Sequence, residues 1–505
     1  MSSERARSHF LVFLMLTSVL IGLAGPASSV SASNETTSGA ITGTETWSGQ
    51  HSLTGDVSIA PGAKLIIEPG TVVTFPNGTM LDVRGNLCAG QISCGASSNA
   101  GPSSKITMTW TEPANSSSRG ECYGLGSGNS QIWIEDPSCG EGVILRDTMD
   151  LSQSGMRHIH FQGAWGIPFY IQLEYEYRYG ALILDGASPT LRTMTFDDIN
   201  TTSVLATNLA QPRFIGGEYV AGNDGESGVT GQAVQIYGGG TPISPMIFES
   251  ASFLSTQKGC GNRDGGRAAV WASQTFLRID NSEVESGDFG FSIRNSAGSV
   301  TNTTIDVNCN GIDVNSLKAI GDTNYDVEIA DNVITTVEGS AITAYAGALV
   351  DIHHNELSGA GEGSGIAVYS SKAAINNNII GPINGWNGFW LLGSFDVIAE
   401  NNTIFDTARE PVLAGEYGNQ APSPTPARLY FANNEISSTG EGACSSSKWW
   451  GGDFACPAIM VHRTGATIVD NTINSGGNAD GIRSTGGLLD VRRNTFNIQG
   501  TGAIL

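Results

Sequence analysis

The chain has 505 residues, more than the roughly 250–300 at which one globular core stops growing, so it either splits into domains or repeats. Gly supplies 66 residues, charged residues are 14% and apolar residues 40%, which is enough for a core and too little for a membrane bundle. A formal net charge of -23 argues against nucleic acid as a partner.

Residues 1–32 read as a signal peptide. Arg5 and Arg7 precede the apolar run Phe10 to Gly25, and Val30-Ser31-Ala32 offers small residues at a cleavable position. The run is shorter than the about 20 residues that span a bilayer, so the mature chain is expected to carry no transmembrane span and to be secreted or held at the cell surface. Residues 33–40, rich in Ser, Thr and Gly, read as a linker.

Eight cysteines in an exported chain point to disulfides, although sequence alone does not choose the connectivity. Proximity pairs Cys88 with Cys94, Cys122 with Cys139 and Cys444 with Cys456, leaving Cys260 with Cys309. No Cys-x-x-Cys occurs and no His stands at zinc-ligand spacing from a cysteine, so neither a metal nor a cofactor is expected.

The second half of the chain repeats. The runs DNVI, HNEL, NNII, NNTI, NNEI, DNTI and RNTF share an Asn at Asn332, Asn355, Asn378, Asn402, Asn434, Asn471 and Asn494, with successive spacings of 23, 23, 24, 32, 37 and 23. One period of 23 residues accounts for them, the two long spacings carrying insertions at 415–426 and 440–457. Within a period stand three short strands, such as GIAVY (365–369), AAIN (373–376) and the run after the Asn. Asn tolerates a left-handed bend, and amides stacked at the strand spacing of about 4.8 Å can bond along the axis, so the seven Asn are expected to form one ladder.

In these features, and in VSIAPGAKLIIEPGTVVTF (57–75), MLDVRGNLCA (80–89) and KITMTW (105–110), the chain resembles the right-handed parallel β-helix proteins of the pectate-lyase-like superfamily, including exported bacterial and archaeal surface proteins. The resemblance implies an all-β, single-stranded right-handed solenoid over residues 41–505, with N-terminal capping coils at 41–145 and regular coils at 146–505. GTGAIL (500–505) matches the start of another coil, so the last coil is expected to continue into further sequence or a partner.

In enzymes of that superfamily the active site lies over the first sheet. Alternation sends Tyr237, Trp271, Arg294, Asp313, Tyr345, Tyr369, Trp390 and His462 outward there. A lyase needs several carboxylates to hold calcium beside a base, and this strip offers only Asp313, with Arg294 one coil before it, a pair expected to be exposed. Asp197-Asp198 is the only adjacent Asp pair for glycosidase chemistry, and His158 with His160 share a strand face without a third metal ligand.

Aromatic residues carry the stronger signal. Tyr237, Trp271, Tyr345, Tyr369 and Trp390 recur along the outward column of the first sheet, and the last three, from consecutive coils, are expected to form one continuous ledge; Trp449 and Trp450 sit inside the Cys444 to Cys456 loop, and Tyr175, Tyr177 and Tyr179 alternate with polar residues. The sequence therefore reads as an exported, non-catalytic surface or adhesion protein that binds extracellular glycans, the alternative being a polysaccharide lyase or hydrolase.

Overall fold

The computed structural model describes residues 35–111, 140–199, 201–221, 232–254, 260, 268–316, 326–415, 428–438, 456–475, 480–498, 502 and 504. Strands of the first sheet, Ile312–Asn315, Ile342–Tyr345, Ile366–Tyr369, Phe389–Leu392, Val412–Gly415, Ile459–His462 and Ile482–Thr485, each pair in parallel with the next. A second column runs from Val327–Ala330 to Leu489–Arg492, and a third from Val333–Thr336 to Thr495–Ile498. The fold is thus an all-β parallel β-helix with three strands per coil. At the C-terminal end Ile504 makes a further parallel bridge to Ile482.

The N-terminal coils keep the same plan with longer strands that turn a corner. Ala268–Asp280 pairs with Val234–Gly239 and Phe289–Arg294 through its first half and with Met246–Glu249 and Ala297–Thr301 through its second. The segment read as a linker is instead part of a strand: Glu35–Ile41 pairs in parallel with Gln50–Ile59. Among the described residues one pair of strands is antiparallel, Ile167–Ile171 with Glu176–Asp185.

Alternation places every second side chain of a strand, usually an apolar one, inside the solenoid. In the third sheet the inward column runs Phe253, Val284, Ile305, Ile334, Leu357, Ile380, Ile404, Ile436 and Ile473 in unbroken register, all buried. Each such side chain contributes about 2 kcal/mol through removal from water. Toward the N-terminus the filling is aromatic: Phe75, Trp110, Phe161 and Phe196 follow one another with ring centroids 4.3, 6.0 and 4.9 Å apart.

The corner between the second and third strands is a single residue with positive φ in coil after coil. It is His158, Thr193, Gly216, Ser250, Asn281, Asn302, Asp331, His354, Asn377, Asn401, Asn433, Asp470 and Arg493, with φ between 48° and 64°. The ladder Asn is the residue after this corner, which corrects the expectation that the ladder Asn itself takes the left-handed bend. One residue at φ > 0 bends the chain from the second sheet into the third, and the next side chain is thereby turned inward.

There the amides stack. The Nδ2 of Asn332, Asn355, Asn378, Asn402, Asn434 and Asn471 donates to Oδ1 of the following Asn at 2.9, 3.0, 2.9, 2.9, 3.1 and 2.9 Å, ending on Asn494. The backbone N–H of each also donates to that Oδ1, at 2.8–3.0 Å. The column continues upstream with other side chains: Thr303 N–H donates to Asn332 Oδ1, and Ala251 N–H to Ser282 Oγ. A buried corner therefore leaves its amides satisfied, as a water-free interior requires.

Disulfides link Cys88 to Cys94 and Cys260 to Cys309. Cys122, Cys139 and Cys444 lie outside the described residues, as do nearly all of both insertions; Cys456 is disulfide-bonded.

Candidate functional site

The outward face of the first sheet carries two adjoining columns. One runs Gln235, Trp271, Ser292, Asp313, Thr343, Ala367 and Trp390; the other runs Tyr237, Ser273, Arg294, Asn315, Tyr345, Tyr369 and Leu392. Tyr345 and Tyr369 are thus direct neighbours, whereas Trp390 stands beside Ala367, one column across. The five aromatic residues do not stand in one column, and Trp390 does not follow Tyr369 in register, because Trp390 is the second residue of its strand and each Tyr the fourth of its own.

The rings nevertheless converge. Trp390 meets Tyr369 edge to face at 5.3 Å, and Trp386, from the turn before the strand, meets Trp390 at 4.2 Å. Arg409, one coil further, lies 5.1 Å over Trp386. Tyr345, Tyr369, Trp386 and Trp390 are all half-buried, so each keeps a part of its surface in solvent. Trp386 was missed by strand alternation since it precedes the strand; the sequence signal was the spacing of two Trp in GWNGFW.

The turn that presents Trp386 is held from inside by a second polar column of mixed composition. Ser340 N–H donates to Asn310 Oδ1, Ser364 N–H to Ser340 Oγ and Asn387 N–H to Ser364 Oγ, and Asn387 Nδ2 donates to the Glu410 carbonyl at 2.6 Å. All but Asn310 of these residues are buried. No single residue type marks this column, in which Asn, Ser and Glu share the positions.

Tyr237 and Trp271 do not belong to an open surface. They are 1% and 9% exposed, packed with Ile144, Ile183 and Leu205 beneath Ile167, Phe169 and Ile171 of the antiparallel hairpin. Arg178 of the same hairpin donates from Nε to Tyr237 Oη at 2.9 Å, and Arg294 lies 4.1 Å over the Trp271 ring. Trp449 and Trp450 lie outside the described residues.

Asp313 is buried, not exposed as the sequence reading expected. It accepts from Asn310 Nδ2 at 3.0 Å, and burial pushes its carboxyl up to about 6 against the opposing pull of Asn310, Thr343 and Arg294. His462 is pushed the other way, down to about 4, by burial and by Arg463; its Nδ1 lies 2.6 Å from Thr485 Oγ1. His158 and His160 do not share a strand face, because His158 is the corner residue between two strands, and His160 Nδ1 is 3.0 Å from Thr195 Oγ1. Asp197 and Asp198 are both exposed. Among the described residues no three His, Cys, Asp or Glu gather as cation ligands would.

No family model matches the chain, and no curated protein does. Among solved structures it is similar to a point mutant of the periplasmic alginate epimerase AlgG, with 10% identity, a TM-score of 0.34, and 86% of this chain and 78% of that one covered. It is similar also to DFA-IIIase from Arthrobacter chlorophenolicus A6 without its lid, with 10% identity, a TM-score of 0.31 and 88% of each chain covered. A third likeness is to the A-module of the Azotobacter vinelandii mannuronan C-5 epimerase AlgE4, with 11% identity, a TM-score of 0.24, and 89% of this chain and 88% of that one covered. The parallel β-helix of this chain rests on its own strand pairing, and these likenesses stand beside it.

Proposed function

We propose that the protein is an exported, non-catalytic β-helix that binds glycans on the first-sheet face, at Tyr345, Tyr369, Trp386 and Trp390. The observation that carries this reading is the convergence of four half-buried rings from three consecutive coils on one side of a rigid solenoid. Pyranose rings stack on such faces while their hydroxyls reach water, and the coil spacing of about 4.8 Å is close to the length of one sugar unit. The net charge of -23 favours neutral or basic glycans over uronates. Disulfides such as Cys88–Cys94 and Cys260–Cys309 fit a compartment outside the cytoplasm, and no helix among the described residues is long and apolar enough to cross a membrane. Trp390→Ala is expected to weaken binding to a recognised neutral glycan about tenfold, with the unfolding midpoint little changed. A glycan array read with both proteins checks this, and unchanged binding would sink the reading.

One observation favours the enzymatic alternative, a polysaccharide lyase or hydrolase. An acid held near 6 beside an arginine is the kind of group that exchanges protons near neutral pH. Product analysis after incubation with neutral and acidic polysaccharides separates the two, since new reducing ends or unsaturated sugars that vanish in Asp313→Asn would establish catalysis.

A further inference from the structure

The antiparallel hairpin has an outer face as well as the inner one that covers Tyr237. In its register Tyr170 stands opposite Tyr177 and Pro168 opposite Tyr179, while Phe169 and Arg178 form the alternate pair. Phe169, Ile167 and Ile171 pack down onto the first sheet, so Tyr170, Tyr177 and Tyr179 project from the other side, away from the solenoid. Tyr170 and Tyr177 touch edge to face with centroids 5.2 Å apart.

The tip adds a third observation. Tyr175 is 81% exposed and has φ of 56°, a backbone conformation that Gly or Asn would take at less cost. Packing does not call for a tyrosine there, since the ring stands largely in solvent, and a large aromatic face left in water is a surface that a ligand can cover. Tyr170 is 45% exposed and Leu173, on the same tip, 47%.

We infer that this tyrosine platform, centred on Tyr170 and Tyr175, is a second binding site, for a neutral polysaccharide. Neither Tyr170 nor Tyr175 belongs to the first-sheet face described above. Their chemistry selects the ligand: the rings offer apolar faces with hydroxyl tips, and Arg178 and Glu174 of the hairpin are engaged with partners of their own. Arg178 is joined to Glu174 at 3.0 Å and to Tyr237 on the inner side. A neutral chain with flat CH faces and hydroxyl edges matches such a surface, in a protein whose net charge of -23 repels polyanions.

The position of the hairpin also fits a polymer. It covers the coil of Tyr237, and four steps of the register, through Ser273, Arg294 and Asn315, lead to Tyr345. The two platforms therefore face the same side, about 19 Å apart along the axis at the usual strand spacing. A polysaccharide held at one is brought to the other at high effective concentration, and each strengthens the other without new contacts. This bivalent part rests on the reading of the first-sheet face given above; the hairpin site itself does not.

Affinity electrophoresis of the full chain in gels containing hydroxyethyl cellulose, laminarin or galactomannan, with polygalacturonate and chitosan as charged controls, tests the inference. The variant Tyr170→Ala/Tyr175→Ala is expected to lose about tenfold in affinity for the neutral polymer that retards the wild type, while keeping its unfolding midpoint because neither ring is in the core. Wild-type retardation by the hairpin variant, or no retardation of the wild type by any neutral polymer, overturns it. Comparison with Trp390→Ala separates the two sites. If only the hairpin variant loses binding, the first-sheet reading fails and the hairpin site stands; if only Trp390→Ala does, the reverse holds.

Discussion

Asn378→Ala is expected to destabilise the solenoid by about 4 kcal/mol, a larger loss than any surface substitution would produce. Asn378 is 1% exposed and sits mid-ladder. Its Oδ1 accepts from the N–H and the Nδ2 of Asn355, both at 3.0 Å, and its Nδ2 donates to Asn402 Oδ1 and to the Ile352 carbonyl at 2.9 and 3.0 Å. Alanine leaves the Asn355 N–H, one Asn355 amide proton and the Ile352 carbonyl without these partners in a dry interior, at about 1–3 kcal/mol each. Chemical denaturation reads the loss of stability, and hydrogen exchange should show faster exchange at the Asn355 amide. A variant as stable as the wild type would mean that the amide column is not what holds the corner.

Asp313→Asn is expected to act in the opposite direction, and only at neutral pH. The folded carboxyl lies near 6 and the ordinary value is 3.8, so the folded state holds a proton that the unfolded chain has released. Stability therefore falls as pH rises from 3.8 to 6, and the cost is complete above 6. A shift of about two units corresponds to about 3 kcal/mol, which the neutral amide recovers while still accepting from Asn310. Thermal unfolding of both proteins at pH 7.5 and 3.5 should show the variant more stable at the higher pH and equal at the lower. A lower midpoint at pH 7.5 would show that Asp313 is stabilised as an anion.

His462 has the complementary sign. Its folded value near 4 lies below the ordinary 6.5, so its contribution is present above 6.5 and lost as pH falls toward 4. The two groups nearly offset each other between pH 4 and 6.5. Removing Asp313 should therefore uncover a loss of stability on acidification that the wild type conceals.

The Asn at 23-residue spacing made the fold legible, because a buried amide ladder tolerates few other side chains and so repeats in the sequence. The left-handed corner beside it did not show, since Asp331, His354, Asn377 and Arg493 all fill it and have only the backbone angle in common. The column of Asn310, Ser340, Ser364, Asn387 and Glu410 was hidden for the same reason. At the candidate site, alternation placed Tyr345, Tyr369 and Trp390 on the outward face but did not resolve the column across which Trp390 is displaced. Tyr237 was assigned to the open surface because nothing local to residue 237 records a hairpin arriving from residues 167–179. Covering of one face by a distant segment is a tertiary event that periodicity does not encode.

The ladder also bears on how such a molecule can change length. Every rung from Asn332 to Asn471 presents the same donors downward and the same acceptor upward, so neighbouring coils are interchangeable as far as the corner is concerned. A coil duplicated or excised as a whole would find matching partners above and below, whereas a deletion of part of a coil would strand an amide in the interior. The molecule can thus be lengthened or shortened in increments of about 4.8 Å, and a coil added between Asn434 and Asn471 would carry everything beyond it away from both aromatic platforms while leaving the coils of Tyr345, Tyr369 and Trp390 as they are.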